Sequence, residues 1–247
     1  MTAAVRPVAL ITGCAKRIGA EIARQLHAAG YDVAMHYRSS REAIEALAAE
    51  LDHARPGSAH TLQADLAEFD RIPELVAHAI GRFGRLDALV NNASSFHPTP
   101  IGLTTPDDWD ALMTSNARAP FFLAQAAAPH LRASGGAIVN LTDIYGERPL
   151  RQHTVYCMAK AALLMMTRSL AVELGPDVRV NAVSPGAVLW PEDSSNTAAQ
   201  EAMLARTPLG RTGTPHEVAE AVRWLLQDAR YSTGQVLNLD GGRMLAG

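Results

Sequence analysis

Tyr156 and Lys160 stand four residues apart in Tyr156-Cys-Met-Ala-Lys160, and a phenol with an ammonium one helical turn away makes a proton donor for a reduction. The surrounding stretch, residues 155–173, is apolar at helical spacing and free of Gly and Pro, so the two side chains are expected to stack on one face. An ammonium beneath a phenol favours the phenolate and is expected to lower the tyrosine pKa from its usual value of about 10. A phenol tuned in that way can deliver a proton as a hydride arrives. The same spacing arises by chance on many helices, where it means a half-buried Tyr beside a solvated Lys. Its meaning therefore depends on the rest of the chain.

A second chemical segment lies near the start, in Thr12-Gly-Cys-Ala-Lys-Arg-Ile-Gly19. Gly13 permits a tight turn and Gly19 permits close packing of helix on strand. The helix beginning at Ile18, just after Arg17, offers free N–H groups and a positive dipole end to a pyrophosphate. After the next β-type run the chain reads His36-Tyr37-Arg38-Ser39-Ser40-Arg41, with no acid before Glu42. An acid there would suit the ribose hydroxyls of NAD, whereas arginines and serines suit a 2′-phosphate. Arg17, Arg38 and Ser39 therefore predict NADPH as the cofactor. The alternative is that Arg38 and Arg41 only solvate a helix start.

The elements that must position these groups alternate along the chain. Strands are expected at 8–11, 33–36, 60–63, 88–90, 137–140, 179–183 and 236–239, with helices at 18–29, 41–52, 72–83, 109–133, 155–173 and 216–227. Gly30, Gly84 and Gly175 stand just past helices, where a left-handed cap residue belongs. Strand–helix alternation implies right-handed crossovers and a parallel sheet covered on both faces. The expectation is an α/β Rossmann fold: one doubly wound, seven-stranded parallel sheet in a single domain over residues 1–247. The least regular stretch, about residues 186–213, contains Trp190 and reads as a substrate loop, since ligands of such sheets bind at the carboxyl ends of strands.

Bulk composition narrows the classes. The 247 residues are 48% hydrophobic and 19% charged, with a net charge of −3, which gives no electrostatic case for nucleic acid or an anionic membrane as partner. No apolar run is expected to approach the membrane-spanning length of about 18 residues. The two cysteines, Cys14 and Cys157, lack metal spacing, so no metal is expected, and inert reduced thiols fit a cytosolic protein. The first strand begins too early to leave room for a leader. Cytoplasmic location is the expectation.

Taken in order, Thr12-Gly13 with Gly19, Asp65-Leu66, Asn91-Asn92-Ala93, Asn116, Tyr156 with Lys160, Asn181, Pro185-Gly186 and Asp240-Gly241-Gly242 resemble the short-chain dehydrogenase/reductase family across essentially the whole chain. The resemblance implies that Asp65 and Leu66 meet the adenine end, and that Asn91, Ala93, Thr142, Pro185 and Gly186 line the cofactor cleft. It further implies that Asn116, Tyr156 and Lys160 form a proton relay, with Lys160 also holding the nicotinamide ribose. It implies a homotetramer, assembled through the long helices.

Departures from the common pattern narrow the resemblance further. Most members place a serine where Asn140-Leu-Thr-Asp143 puts an aspartate, and here Ser94-Ser95-Phe96-His97 follows Asn-Asn-Ala. Together with Arg17 and His36-Tyr37-Arg38-Ser39, these residues resemble the pteridine reductases, which reduce pterins, dihydropterins and in some members folates with NADPH. A flat pterin would stack between Phe96 and the nicotinamide, with Ser94 at the ring edge and Trp190 on the substrate loop. Asp143 either stays protonated in a closed pocket or orients Tyr156 and a water; alternatively it caps a turn and Thr142 replaces the serine. His97, Tyr145 and Arg148 fall near the mouth of the site. A 3-oxoacyl or ketone reductase of the same family and a non-catalytic NADP(H) sensor are the rival readings. Retention of Asn116, Tyr156 and Lys160 together argues against the sensor.

Overall fold

Strands buried on both faces are written as unbroken runs of small and β-branched apolar residues, and Val8–Ile11 and Ala137–Leu141 are buried throughout. The computed structural model describes residues 6–189 and 197–246. Its sheet contains β1 (Val8–Ile11), β2 (Asp32–Tyr37), β3 (Ala59–Gln63), β4 (Ala88–Asn91), β5 (Ala137–Leu141), β6 (Arg179–Pro185) and β7 (Val236–Leu239), in the order β3-β2-β1-β4-β5-β6-β7. Every pairing is parallel. The doubly wound seven-stranded expectation is met.

Successive side chains of a strand face opposite ways, and β1 feeds both layers of the core. Ala9 and Ile11 pack with Ile22, Leu26 and Val222, while Val8 and Leu10 pack with Leu75, Leu123 and Leu131. The first layer holds α1 (Arg17–Ala28), α2 (Arg41–Ala54) and, further along, α8 (Pro215–Gln227). The second holds α3 (Arg71–Phe83), α5 (Ala119–Ser134) and α6 (Thr154–Leu174), while α4 (Pro106–Met113) packs on α6 through Leu112. The strand order reverses between β1 and β4, which opens a crevice at their carboxyl ends.

Four local features differ from the sequence reading. The helix expected at 109–133 starts at Pro106, where Thr105 and Asp108 form a reciprocal capping box. It then widens into a π-turn over Thr114–Arg118; Ser115 donates to the Ala111 carbonyl and Asn116 to that of Leu112, satisfying acceptors that the wider turn frees. A further helix, α7 (Thr197–Ala205), occupies part of the stretch expected to be loop. Gly30 and Gly84 adopt positive φ as expected, but Gly175 is extended (φ −66°, ψ 150°), because Pro176 follows and disfavours helical or left-handed backbone before it. Finally, α6 does reach the length and mean hydropathy of a membrane span, 21 residues at 1.3, contrary to the run-length reading. Half of that window is buried inside the protein, where it packs on β6.

Candidate active site

The turn after β1 is shaped by close backbone contacts. Gly13 has φ +67°, and a Cβ there would lie 2.9 Å from the Ala93 Cα; one on Gly19 would lie 2.2 Å from the Gly13 carbonyl oxygen. Only glycine fits either place. Thr12 and Asn92 tie the turn to the segment after β4: the Thr12 hydroxyl accepts from the amides of Asn92 and Ala93, and the Asn92 side chain donates to the carbonyls of Thr12 and Gly13. The start of α1 has no side-chain cap and no acid in its first turn, so its amides and dipole remain available to an anion.

A cleft of about 670 Å³ runs over this turn. Arg38, Ser39 and Ser40 line one end, with Tyr37, Asp65 and Leu66 beside them; Gly13, Arg17, Ile18 and Gly19 form its floor. Ala93, Ser94 and Ser95 line its other end. The shape and donors fit a dinucleotide. Arg17 adopts φ +55° and reaches across to the Leu189 carbonyl at 3.3 Å. His36 lines the cleft, but both of its ring nitrogens are directed elsewhere, toward Gly13 and Ala64.

Four residues expected along the cleft, Asn91, Thr142, Pro185 and Gly186, have polar groups engaged within the sheet. Asn91 is buried and donates to Asn140, which donates to Thr167; this chain of polar groups lies between β4, β5 and α6, because Asn91 and Asn140 are register partners. Thr142 is also buried and its hydroxyl donates to the Val183 carbonyl, which removes it as a serine replacement. Pro185 and Gly186 end β6 against β7, with the Gly186 amide donating to Leu239 and its α-carbon packed against Asp240. Trp190 lies outside the described residues.

Beyond Ser94 the catalytic candidates meet. The Tyr156 phenol donates to the Asp143 carboxylate at 2.7 Å, and the second Asp143 oxygen accepts from the Tyr145 amide. Asp143 therefore caps the short turn Ile144–Gly146 and grips the tyrosine at once. Lys160 is buried one turn below, donating to the Leu141 carbonyl at 3.0 Å, with its ammonium 5.6 Å from the centre of the Tyr156 ring. Asn116 is held by the π-turn, donates to the Ser95 carbonyl and accepts from the Ser94 hydroxyl at 2.8 Å. It stands beside the group through Ser94, whose hydroxyl acts to lower the Tyr156 pKa.

The electrostatics reverse one expectation. Burial, and then the adjacent Asp143 charge, push the Tyr156 pKa well above its ordinary value. Lys160 was expected to lower it; instead the ammonium faces β5 while the hydroxyl faces a carboxylate, so the phenol form is favoured. Burial also raises the Asp143 pKa, opposed by the Tyr145 amide, the phenol and Lys160. Lys160 is brought down to about 8 by burial, with Asp143 opposing the shift. The result is a tyrosine loaded with its proton at neutral pH.

One participant went unread in the sequence. The Phe96 ring is 52% exposed, stacks on His153 at 4.6 Å and 12°, and meets Tyr156 edge-on at 4.8 Å. His153 sits just ahead of α6, and the segment is further clamped by the Thr99–Gln152 backbone bond and the Thr99–His153 bridge. His97 turns toward Asp108 at 3.5 Å, while Arg148 holds the carbonyls of Arg243 and Ala246. Cys14 is buried, with its thiol donating to the Ile11 carbonyl.

Comparison with known proteins agrees with this layout. The family described as enoyl-(acyl carrier protein) reductase matches residues 13–243. The chain is 39% identical to pteridine reductase 1 of Leishmania tarentolae, over 99% of this chain and 98% of that protein. It is 40% identical to a Streptomyces violaceoruber protein named as ketoacyl reductase 2 of the granaticin polyketide synthase, over 97% and 96% of the two chains. It is 34% identical to a 3-oxoacyl-(acyl carrier protein) reductase of Staphylococcus aureus, over 95% and 96%.

Proposed function

The chain belongs to the short-chain dehydrogenase/reductase family, and from that premise we propose that it is an NADPH-dependent pteridine reductase. Its substrates are oxidised pterins or dihydropterins, with dihydrofolate a second substrate of the same ring chemistry. The observation that carries this reading is the 2.7 Å contact between the Tyr156 phenol and the Asp143 carboxylate. In ketone reduction, negative charge develops on the carbonyl oxygen and calls for hydrogen-bond donors; a carboxylate beside the tyrosine opposes that charge. In reduction of a ring C=N bond the proton goes to nitrogen, and the N–H groups of a pterin edge are donors that a carboxylate accepts.

NADPH, when bound, supplies the hydride. Tyr156 holds the proton at its phenolic oxygen and hands it to the ring nitrogen, while Asp143 orients the phenol and Lys160 supplies positive charge to the pair. Arg38 and Ser39 suit the 2′-phosphate, with no acid at the end of β2 to repel it. Phe96 offers an exposed face at the mouth for stacking, and Ser94 sits within reach of the ring edge.

A second reading, reduction of 3-oxoacyl or other ketone substrates, is favoured by the ketoacyl reductases among its relatives. Measuring NADPH oxidation with a dihydropterin and with a 3-oxoacyl thioester separates the two. Turnover of the dihydropterin at the higher kcat/KM supports the first; efficient ketone turnover with inert dihydropterins replaces it with the second.

A further inference from the structure

His36 at the end of β2 is almost fully buried, 2% exposed, and both of its ring nitrogens are engaged. Its Nδ1 accepts from the Gly13 amide at 3.2 Å, and its own carbonyl accepts from the next amide, that of Cys14, at 3.0 Å. One residue thus holds two consecutive amides of the glycine-rich turn. Because Gly13 can only donate, Nδ1 must be bare and the ring proton must sit on Nε2. That proton is spent on the Ala64 carbonyl at 3.0 Å. Ala64 ends the strand side of the second cleft wall: its amide donates to Tyr37, and the next residue is Asp65, whose carboxylate caps the turn by accepting from Ala67. A single imidazole in a single tautomer therefore spans the two turns that bracket the cleft.

We propose that His36 is a positioning residue for the cofactor: as the neutral Nε2–H tautomer it locks the glycine-rich turn to the turn after β3, and taking up a second proton releases that lock and the cofactor with it. A doubly protonated ring has no acceptor, so Gly13 would point its N–H at another N–H. The Gly13 amide would then be left unpaired beneath the pyrophosphate seat, with the backbone at Gly13 free to leave the positive φ that keeps Gly19 in contact with it. Burial disfavours the charged ring and lowers the His36 pKa. The titratable groups facing it are Asp65, which opposes that shift, and Cys14, whose thiol burial keeps neutral. The neutral ring is thereby the working form at ordinary pH, and acid is the condition that breaks it.

The test uses binding, not turnover. NADP⁺ affinity of the full chain is measured by calorimetry for the wild type and for His36→Asn, His36→Gln and His36→Phe. Asparagine keeps an acceptor near the place of Nδ1, glutamine keeps a donor near that of Nε2, and phenylalanine keeps neither. Near neutral pH, Phe and Gln should weaken NADP⁺ binding about tenfold or more, the scale expected for an unsatisfied buried amide, while Asn, which keeps the Gly13 bond and loses the Ala64 bond, falls measurably between Phe and the wild type. Equal weakening in all three, or none in Phe, overturns the proposal. Nitrogen-15 NMR of the wild-type imidazole tests it without any variant. The Nε2–H tautomer should persist with and without NADP⁺, and protonation should come below the ordinary histidine range of about 6.5. NADP⁺ affinity should fall through that same pH in the wild type beyond any fall in His36→Asn, which shares the titration of the cofactor phosphate. An Nδ1–H tautomer, or affinity that does not change as the ring protonates, overturns it.

Discussion

At the cofactor end of the cleft, polar contacts run mainly between backbone groups and the buried side chains that shape them: Thr12, Asn92 and His36 all hold main-chain amides or carbonyls. At the catalytic end they run from side chain to side chain, from Ser94 to Asn116 and from Tyr156 to Asp143. The shape of the first end is set by glycines at fixed spacing in one turn, which Asn92 and His36 then fasten to the neighbouring strands. The second needs groups from β4, the π-turn, β5 and α6 to converge, so its chemistry depends on the whole sheet. A substitution at the first should move cofactor affinity; one at the second should move chemistry or substrate binding. Each of the following variants can break that division.

The largest effect is expected for Tyr156→Phe. Removing the phenolic proton should lower kcat by about 10² to 10⁴, with NADPH affinity, read by fluorescence quenching, close to wild type. Loss of affinity equal to the loss of rate would mean that the two ends are not separable. Next is Arg38→Asp, which replaces a cation with an anion at the end of the cleft proposed to take the 2′-phosphate. NADPH affinity should drop by roughly 10- to 100-fold, the worth of a charged hydrogen bond, while NADH affinity holds or improves and kcat at saturation stays put.

Asp143→Asn sharpens the comparison through stability. The native carboxyl has a raised pKa, so between the unfolded value of about 3.9 and that raised value the native state holds more proton than the unfolded state. Stability therefore falls as pH rises through that window. The asparagine variant avoids this loss, and its melting temperature should exceed that of the wild type at neutral pH, with the gap closing toward pH 4. A gap that widens in acid would show that the carboxylate stabilises the fold. The smallest effect is expected for Phe96→Ala. Loss of one stacking face, about 0.5–1.5 kcal/mol, should raise the KM for a dihydropterin by roughly 2- to 12-fold and leave kcat nearly unchanged, since stacking serves ground and transition states alike.

Much of this was legible before the structure. The alternation of short apolar runs with amphipathic stretches gives all seven strands to within a residue or two, because a strand buried on both faces cannot hide its composition. The glycine turn and the Tyr156–Lys160 spacing were legible for the same reason: each is encoded within one helical turn or one tight loop. The π-turn at Asn116 and the extended Gly175 were misread. The first is a one-residue widening with no periodic signature, and the second reflects a proline whose effect on its predecessor outweighs the preference of glycine for positive φ.

The chain by itself determined the succession of strands and helices, the glycine cradle, the absence of an acid after β2, and the spacing of Tyr156 and Lys160 on one helix. What those groups do to each other was decided only by tertiary structure. Asp143 and Tyr156 are 13 residues apart, and their contact, with the burial around it, sets the sign of the tyrosine shift opposite to the one that Lys160 alone would give. His36 lies 23 residues from Gly13 and 28 from Ala64, and nothing local marks it as more than a polar residue at a strand end. The physical reason is the same in both cases. Burial and the direction of a side chain across neighbouring strands are properties of the packed sheet, and they fix which proton a group keeps.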